Sequence, residues 1–231
     1  MEIEMRRLLA ISCVAMALWI PAGAARANLI VNGGFETNSA TASVFNPSNV
    51  LFNSTMSSVT AYGAREGIDI QTTGSGFGAA PQSGNWKVSP AADLGGLIEE
   101  FSMDLSGPVI AGLSYTLEFY IERLVNGPFD GGSVDIGLSS SATSFGTSVF
   151  TSASSTAGWT LESTTFVASA NADFLTVRAD TTGNRWVGLD TFSLTQVPEP
   201  STALLLAFGL GGSGRAGDAR WHALTSLSKL G

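Results

Sequence analysis

The chain has 231 residues and is acidic, with 11 Lys and Arg against 19 Asp and Glu, a net charge of −8. Between residues 28 and 196, fifteen acidic and five basic side chains give a net charge of about −10, so nucleic acid is not expected as a partner. Cys13 and His222, the only residues of their types, lie outside this segment, which excludes thiol–imidazole, serine–histidine and histidine-ligated zinc chemistry from it.

The first 27 residues have the parts of a secretory signal peptide. Arg6 and Arg7 precede the apolar run 8–20, and a small-residue cleavage site ends at Ala27. The thirteen-residue run is shorter than the roughly 20 residues that a membrane-spanning helix needs. We therefore predict a signal-peptide helix that signal peptidase removes, and an exported chain that begins at Asn28. Without cysteine, that chain must be stabilised by its core.

Short alternating segments separated by turn residues follow. In the clearest, 114–122, apolar residues at every second position share one face, which is typical of a half-buried strand. No sustained helical period occurs between residues 28 and 196. One domain of short strands, 28–196, predicts an all-β antiparallel sandwich. The predicted strands cover residues 29–31, 68–71, 85–88, 98–105, 114–122, 134–138, 147–151, 160–167, 174–179 and 187–194.

The order of several motifs in this domain resembles that of galactose-binding-like jelly rolls, which include several carbohydrate-binding modules. The motifs occupy residues 28–36, 84–88, 95–101, 111–117, 158–159 and 188–194. The resemblance implies an antiparallel jelly-roll β-sandwich. Fold alone does not fix function.

Asp190 shares strand parity with the apolar residues after it, so its side chain is expected to face the core, where a carboxylate needs a partner. In such jelly rolls an acidic residue of the first-strand motif and an Asp of the last strand often share a structural calcium. The matching positions are Glu36 and Asp190, so the resemblance implies Ca²⁺ as a cofactor that holds the termini together. The alternative is that Asp190 accepts hydrogen bonds from backbone amides or pairs with Arg178 or Arg185.

Sugar-binding sites stack aromatic rings on pyranose rings. Alternation places Tyr120 on the solvent face beside Glu118, whose carboxylate suits sugar hydroxyls. We predict a carbohydrate-binding surface that includes Tyr120, Glu118, Trp86 and Trp186. Packing in the core is the alternative for Trp86, and an inward orientation is the alternative for Trp186. Further aromatic candidates are Tyr62 and Trp159.

No catalytic residue is predicted. Glu99 and Glu100 are the most conspicuous acidic pair, but adjacent strand residues point to opposite faces, so one is expected in solvent and the other near an edge. The Gly- and Ser-rich stretch 72–84 lacks the following helix of a phosphate-binding loop. We expect a flexible surface loop there.

The tail 197–231 begins with a motif that resembles the PEP-CTERM sorting signal. The motif consists of Val197, Pro198, Glu199 and Pro200 and is followed by the apolar run 203–210. Such signals occur on exported proteins of Gram-negative bacteria that make extracellular polysaccharide, and an exosortase is thought to process them. The resemblance implies export to the cell envelope, the outer surface or the medium, with exosortase and extracellular polysaccharide as partners.

The rest of the tail departs from that pattern after about residue 211. The apolar stretch is too short to span a bilayer, and dispersed Arg215, Arg220 and Lys229 replace the expected basic cluster. A frameshift near Gly211 and a naturally degenerate tail are two explanations that the sequence leaves open.

The sequence as a whole predicts a non-enzymatic, exported protein of the cell envelope or extracellular matrix that binds or associates with polysaccharide. A structural or adhesive scaffold without a sugar site is the first alternative. A polysaccharide hydrolase that uses two carboxylates is the second.

Overall fold

The computed structural model describes residues 27–179 and 183–198. The predicted signal peptide and the sorting tail beyond residue 198 lie outside the described residues. Within the described ranges, no helix is both long enough and apolar enough to cross a bilayer.

The described residues form one short helix and thirteen strands. The helix α1 covers Asn49–Thr55. The strands are β1 Val59–Ala61, β2 Asp69–Thr72, β3 Trp86–Ser89, β4 Ala91–Ala92, β5 Glu100–Val109, β6 Ser114–Arg123, β7 Val125–Asn126, β8 Phe129–Asp130, β9 Val134–Ser139, β10 Thr147–Thr151, β11 Thr160–Val167, β12 Ala172–Ala179 and β13 Arg185–Gln196.

These strands build two antiparallel sheets and a hairpin. The five-stranded sheet has the order β1-β5-β12-β9-β10, and the six-stranded sheet has the order β11-β6-β13-β3-β2. β4 pairs with β13, and β7 pairs with β8. From β5 onward the chain repeatedly crosses from one sheet to the other, as in a jelly roll. The predicted antiparallel β-sandwich is confirmed.

The core lies between the two sheets and follows from the alternation of apolar residues. On β6, the side chains of Tyr115, Leu117, Phe119 and Ile121 are at most 1% exposed. Aromatic rings fill the centre of the core: Phe119 stacks on Phe192 at 4.9 Å between ring centroids. Because such burial stabilises each large side chain by about 1.5–3 kcal/mol, the fold needs no disulfide.

Some local predictions were incomplete. The helix α1 was not predicted, because seven residues give too little periodicity, although Ser48 accepts a capping hydrogen bond from the backbone N–H of Leu51. The predicted strand 29–31 is reduced to an isolated bridge between Ile30 and Leu105. The short strands β1, β4, β7 and β8 were not predicted either, since two or three residues cannot show alternation.

The predicted orientation of Asp190 is wrong. The pairing of β13 with β6 shifts between Asp190 and Ser193, where Thr191 has a φ of 54°. This bulge breaks the strand parity. Asp190 therefore pairs with Tyr120 on the outer face of the six-stranded sheet, while Phe192 packs in the core.

Candidate functional site

A cavity of about 340 Å³ opens at one end of the six-stranded sheet. This volume falls at the small end of the roughly 300–1,000 Å³ that is usual for small-molecule sites. Four aromatic rings, two buried carboxylates and several polar groups surround it. The lining residues are Phe45, Asn46, Arg65, Gly67, Asp69, Phe77, Ala91, Glu99, Asn126, Phe129 and Trp186.

Backbone amides and one arginine hold the two carboxylates in place. Asp69, on β2, is 5% exposed and accepts a hydrogen bond from the backbone N–H of Asn46 at 2.7 Å. Glu99, which precedes β5, is 1% exposed and accepts hydrogen bonds from the Nε of Arg65 at 3.0 Å and the backbone N–H of Ala91 at 2.7 Å. Both oxygens of Glu99 are therefore engaged by the protein, which suits a fixed wall of a binding site better than a mobile proton donor.

Burial changes the acidity of these groups. Desolvation raises the pKa of Asp69 to about 6, although the hydrogen bond from Asn46 opposes the shift. Desolvation likewise raises the pKa of Glu99 to about 7, against the opposing effects of Ala91 and Arg65. Each carboxylate is thus costly to ionise and would gain from a ligand that donates hydrogen bonds to it or brings positive charge.

The aromatic rings form a corner. Phe45 and Phe77 meet edge to face with centroids 5.5 Å apart and planes at 76°, and Phe77 meets Trp186 at 5.1 Å and 66°. The face of the Phe129 ring lies 5.2 Å from the guanidinium carbon of Arg65. Rings in this arrangement present faces and edges to a ligand from more than one side.

Gly67 allows the backbone to approach the cavity floor closely. Its φ is +138°, and a Cβ atom placed there would lie 2.8 Å from Oε1 of Glu99 and 3.4 Å from Oδ1 of Asn46. A side chain at this position would therefore be strained and would crowd both polar groups.

Phe77 belongs to a segment that we call the strap, residues 73–84, which crosses the outer face of the six-stranded sheet. The ammonium group of Lys87 donates hydrogen bonds to the carbonyls of Phe77 at 3.0 Å and Ala79 at 2.8 Å and pairs with Glu122 at 2.5 Å. Glu122 also accepts a hydrogen bond from the backbone N–H of Ala79. The side chains of Lys87 and Glu122 are at most 1% exposed, so this buried ion pair fastens the strap over the sheet.

Further contacts fix both ends of the strap. Ser75 bonds Gln71 through its hydroxyl, the indole N–H of Trp159 donates to the carbonyl of Ala80, and the backbone N–H of Ser83 donates to Asp190. The expected flexible loop is thus a tethered segment with specific partners along its length.

Both predicted calcium ligands accept hydrogen bonds from backbone amides within residues 83–86. Asp190 accepts hydrogen bonds from the N–H groups of Ser83 and Thr191, and Glu36 accepts them from Asn85 and Trp86. Burial raises the pKa of Asp190 to about 6. Residues 27–179 and 183–198 contain no group of three or more His, Cys, Asp or Glu side chains placed to hold a metal.

Both carboxylates thus face N–H donors, whereas calcium binds oxygen atoms. An ion at this position would compete with those N–H groups for the carboxylate oxygens and would need further carbonyl or water oxygens as ligands. The calcium site at Glu36 and Asp190 stays a prediction. Of the alternatives for Asp190, the amide hydrogen bonds are the ones found; Arg178 pairs with Asp135 instead.

The predicted carbohydrate-binding residues are separated in the structure. Trp186 lines the cavity and is 7% exposed. Tyr120 is half-buried and Glu118 is exposed on the outer face of β6, away from the cavity lining. Trp86 is half-buried and packs against the main core. Of the four residues, only Trp186 contributes to the cavity.

Most of the cavity residues were not predicted, because they lie in loops or in strands of only two to four residues. Phe45, Phe77 and Phe129 occur in segments where no strand or helix period predicts their direction. Glu99 was noticed as part of an acidic pair, but it is buried in an ion pair with Arg65, and its neighbour Glu100 is half-buried. The prediction that one of the two side chains lies in solvent is therefore wrong. A signal that could have pointed to Phe77 is its position between two glycines in residues 74–78.

The end of the chain matches a known family of sorting signals. Residues 196–217 match the PEP-CTERM protein-sorting motif. The predicted sorting signal is confirmed, and it indicates export to the cell envelope or cell surface. No curated protein matches this chain.

Several solved structures are similar to the chain. One is a family 4 carbohydrate-binding module, with 17% identity, a TM-score of 0.41, and coverage of 61% of this chain and 95% of that one. Another is the CBM22-1 xylan-binding domain of Paenibacillus barcinonensis Xyn10C, with 12% identity, a TM-score of 0.43, and coverage of 76% and 99%. A third is TmCBM61 in complex with β-1,4-galactotriose, with 16% identity, a TM-score of 0.35, and coverage of 74% and 99%. These similarities are distant, so they do not indicate which ligand this chain binds.

Proposed function

We propose that this exported protein is a non-enzymatic carbohydrate-binding protein of the cell envelope or extracellular matrix, and that the cavity lined by Phe45, Phe77 and Trp186 is its sugar site. The observation that supports the proposal is the combination of aromatic faces with fixed hydrogen-bonding groups in one small cavity. Aromatic faces pack on the C–H surface of a sugar ring, while carboxylates and amides bind its hydroxyl groups.

The shape of the site favours one or two sugar units over a long chain. The cavity is bounded by the strap on one side and by the hairpin of β7 and β8 on another, through Phe77 and Phe129. A polysaccharide would enter it by an end or by a branch. An extracellular polysaccharide is the partner that fits an exported protein with this sorting motif.

Hydrolysis is a second candidate, because Asp69 and Glu99 line the same cavity and both have raised pKa values. Glycoside hydrolases use two carboxyl groups, one protonated as the acid and one ionised as the base or nucleophile. Binding is preferred, because Arg65 and Ala91 occupy both oxygens of Glu99.

The proposal is tested by screening the purified protein against an array of oligosaccharides and bacterial polysaccharides. Retention of at least one glycan class, without release of reducing sugar, is the expected result. Retention of none would leave a structural scaffold as the function. Release of reducing sugar that is lost in Asp69→Asn would establish a hydrolase instead.

A further inference from the structure

The charges around the cavity are unbalanced. Asp69 and Glu99 contribute two carboxylates, and Arg65 contributes the one guanidinium among the described residues that line it. That guanidinium is already committed, because its Nε pairs with Glu99 and its Nη1 pairs with Asp93 at 2.9 Å. Asp69 hydrogen-bonds the uncharged backbone N–H of Asn46. A ligand in this cavity therefore meets surplus negative charge.

The surplus negative charge in the cavity favours some classes of sugar over others. A uronic acid or a phosphorylated or sulfated sugar would bring a further negative charge next to buried carboxylates, where the low dielectric strengthens repulsion. A neutral sugar would gain hydrogen bonds alone. A sugar with a free ammonium group would gain hydrogen bonds and would also neutralise a carboxylate that is expensive to leave buried without a counter-ion.

The aromatic corner favours a cation as well. Cations bind the faces of aromatic rings within about 6 Å of the centroid, and Trp is the strongest partner. The cavity already shows this preference, because Arg65 occupies the face of Phe129 at 5.2 Å. The rings of Phe45, Phe77 and Trp186 form the remaining corner.

The polar groups indicate a sugar rather than a quaternary ammonium ion. Asn46 and Asn126 add amide groups to the two carboxylates, so donors and acceptors are spread around the cavity as the hydroxyl groups of a hexose ring require. A quaternary ammonium headgroup has no hydrogen-bond donor to offer them.

We propose that the cavity recognises a hexosamine residue with a free ammonium group, at the end or on a branch of a glycan. This proposal rests on the proposed sugar-binding function and specifies the class of sugar. It makes the protein a binder of de-N-acetylated amino sugars, and it excludes uronic acids from the same site.

The test is isothermal titration of the full-length protein with three oligosaccharides of equal length, built from glucosamine, N-acetylglucosamine and glucuronic acid. We expect the glucosamine oligomer to bind at least about tenfold more tightly than the acetylated one, the factor that about 1.4 kcal/mol gives. The glucuronic acid oligomer is expected not to bind. Asp69→Asn should abolish the preference for glucosamine over N-acetylglucosamine.

Two controls separate this site from general attraction to an acidic protein. Asp173→Asn removes an exposed carboxylate on β12 and should leave all three affinities unchanged. Phe45→Ala removes a ring that is 41% exposed. This variant should weaken binding of the glucosamine oligomer without lowering the melting temperature of the protein.

The outcomes are distinct. Equal affinity for the glucosamine and N-acetylglucosamine oligomers, or equal weakening of glucosamine binding by Asp69→Asn and Asp173→Asn, overturns the ammonium proposal and leaves sugar binding in place. Failure of all three oligomers to bind overturns the ammonium proposal, and the wider oligosaccharide array then tests the proposed function separately. If Asp69→Asn does not fold, the comparison of the three oligomers on the unmodified protein still tests the ammonium proposal.

Discussion

The buried ion pair between Lys87 and Glu122 makes the sharpest stability prediction, and Lys87→Met is the perturbation that tests it. The variant keeps an unbranched side chain, one atom shorter, and removes the ammonium group. Glu122 then stays buried with the N–H of Ala79 as its hydrogen-bond partner, and the carbonyl of Phe77 loses its donor. The strap, which carries Phe77 into the cavity wall, is the segment expected to detach.

The magnitude follows from burial. Breaking a buried ion pair by removing one partner costs about 3–5 kcal/mol, because the remaining charge is left without compensation. In a domain of about 150–250 residues, each kcal/mol lowers the melting temperature by about 2–4 °C. Lys87→Met should therefore lower the melting temperature by about 6–20 °C, measured by circular dichroism in low salt.

Two further variants check this reasoning. The matched control is Arg123→Met, because Arg123 and Asp130 also form an ion pair but are 43% and 52% exposed. Water screens an exposed pair, so this variant should melt close to the unmodified protein. Adding Glu122→Gln to Lys87→Met should restore part of the lost stability, since an amide needs no counter-ion. If Lys87→Met melts like Arg123→Met, the buried pair does not fasten the strap.

Three further predictions concern other groups. Because burial raises the pKa of Asp69 to about 6 and of Glu99 to about 7, the folded protein binds more protons than the unfolded chain between about pH 4 and 7. Thermal melts should show stability falling as pH rises through this window, and a rise would contradict the assigned burial. Gly67→Ala should weaken sugar binding and lower the melting temperature more than Gly112→Ala, which has a positive φ of 84° but nothing within 4 Å of its added Cβ; equal effects would show that backbone strain alone matters. If calcium joins Glu36 and Asp190, a chelator should lower the melting temperature. An unchanged melting curve would show that these residues hold no calcium.

Alternation was enough to predict the longer strands of the sandwich. On β6, four apolar side chains at every second position specify one buried face, and the structure has them at most 1% exposed. The same rule failed at Asp190, because the bulge at Thr191 shifts the register and transfers the carboxylate to the other face of the sheet. A bulge depends on the pairing of two distant strands, and no local pattern reveals it.

The cavity was much harder to predict than the fold. Its walls combine residues from the segment before α1, from β2, from the strap and from β13, which are far apart in the sequence. Trp186 was selected as an aromatic residue near a loop, but its partners Phe45 and Phe77 could not be assigned to it without the tertiary structure. Tyr120 had the clearest alternation and yet lies away from the cavity, because strand parity predicts a face and does not predict a pocket.

Calorimetric titration of Phe45→Ala and Tyr120→Ala with the best glycan from the array tests most directly whether the cavity is the sugar site. We predict that Phe45→Ala weakens binding by about tenfold or more, equivalent to about 1.4 kcal/mol, while Tyr120→Ala and the exposed control Val167→Ala bind like the unmodified protein. Normal binding by Phe45→Ala, or loss of binding in Tyr120→Ala, would show that the cavity is not the sugar site.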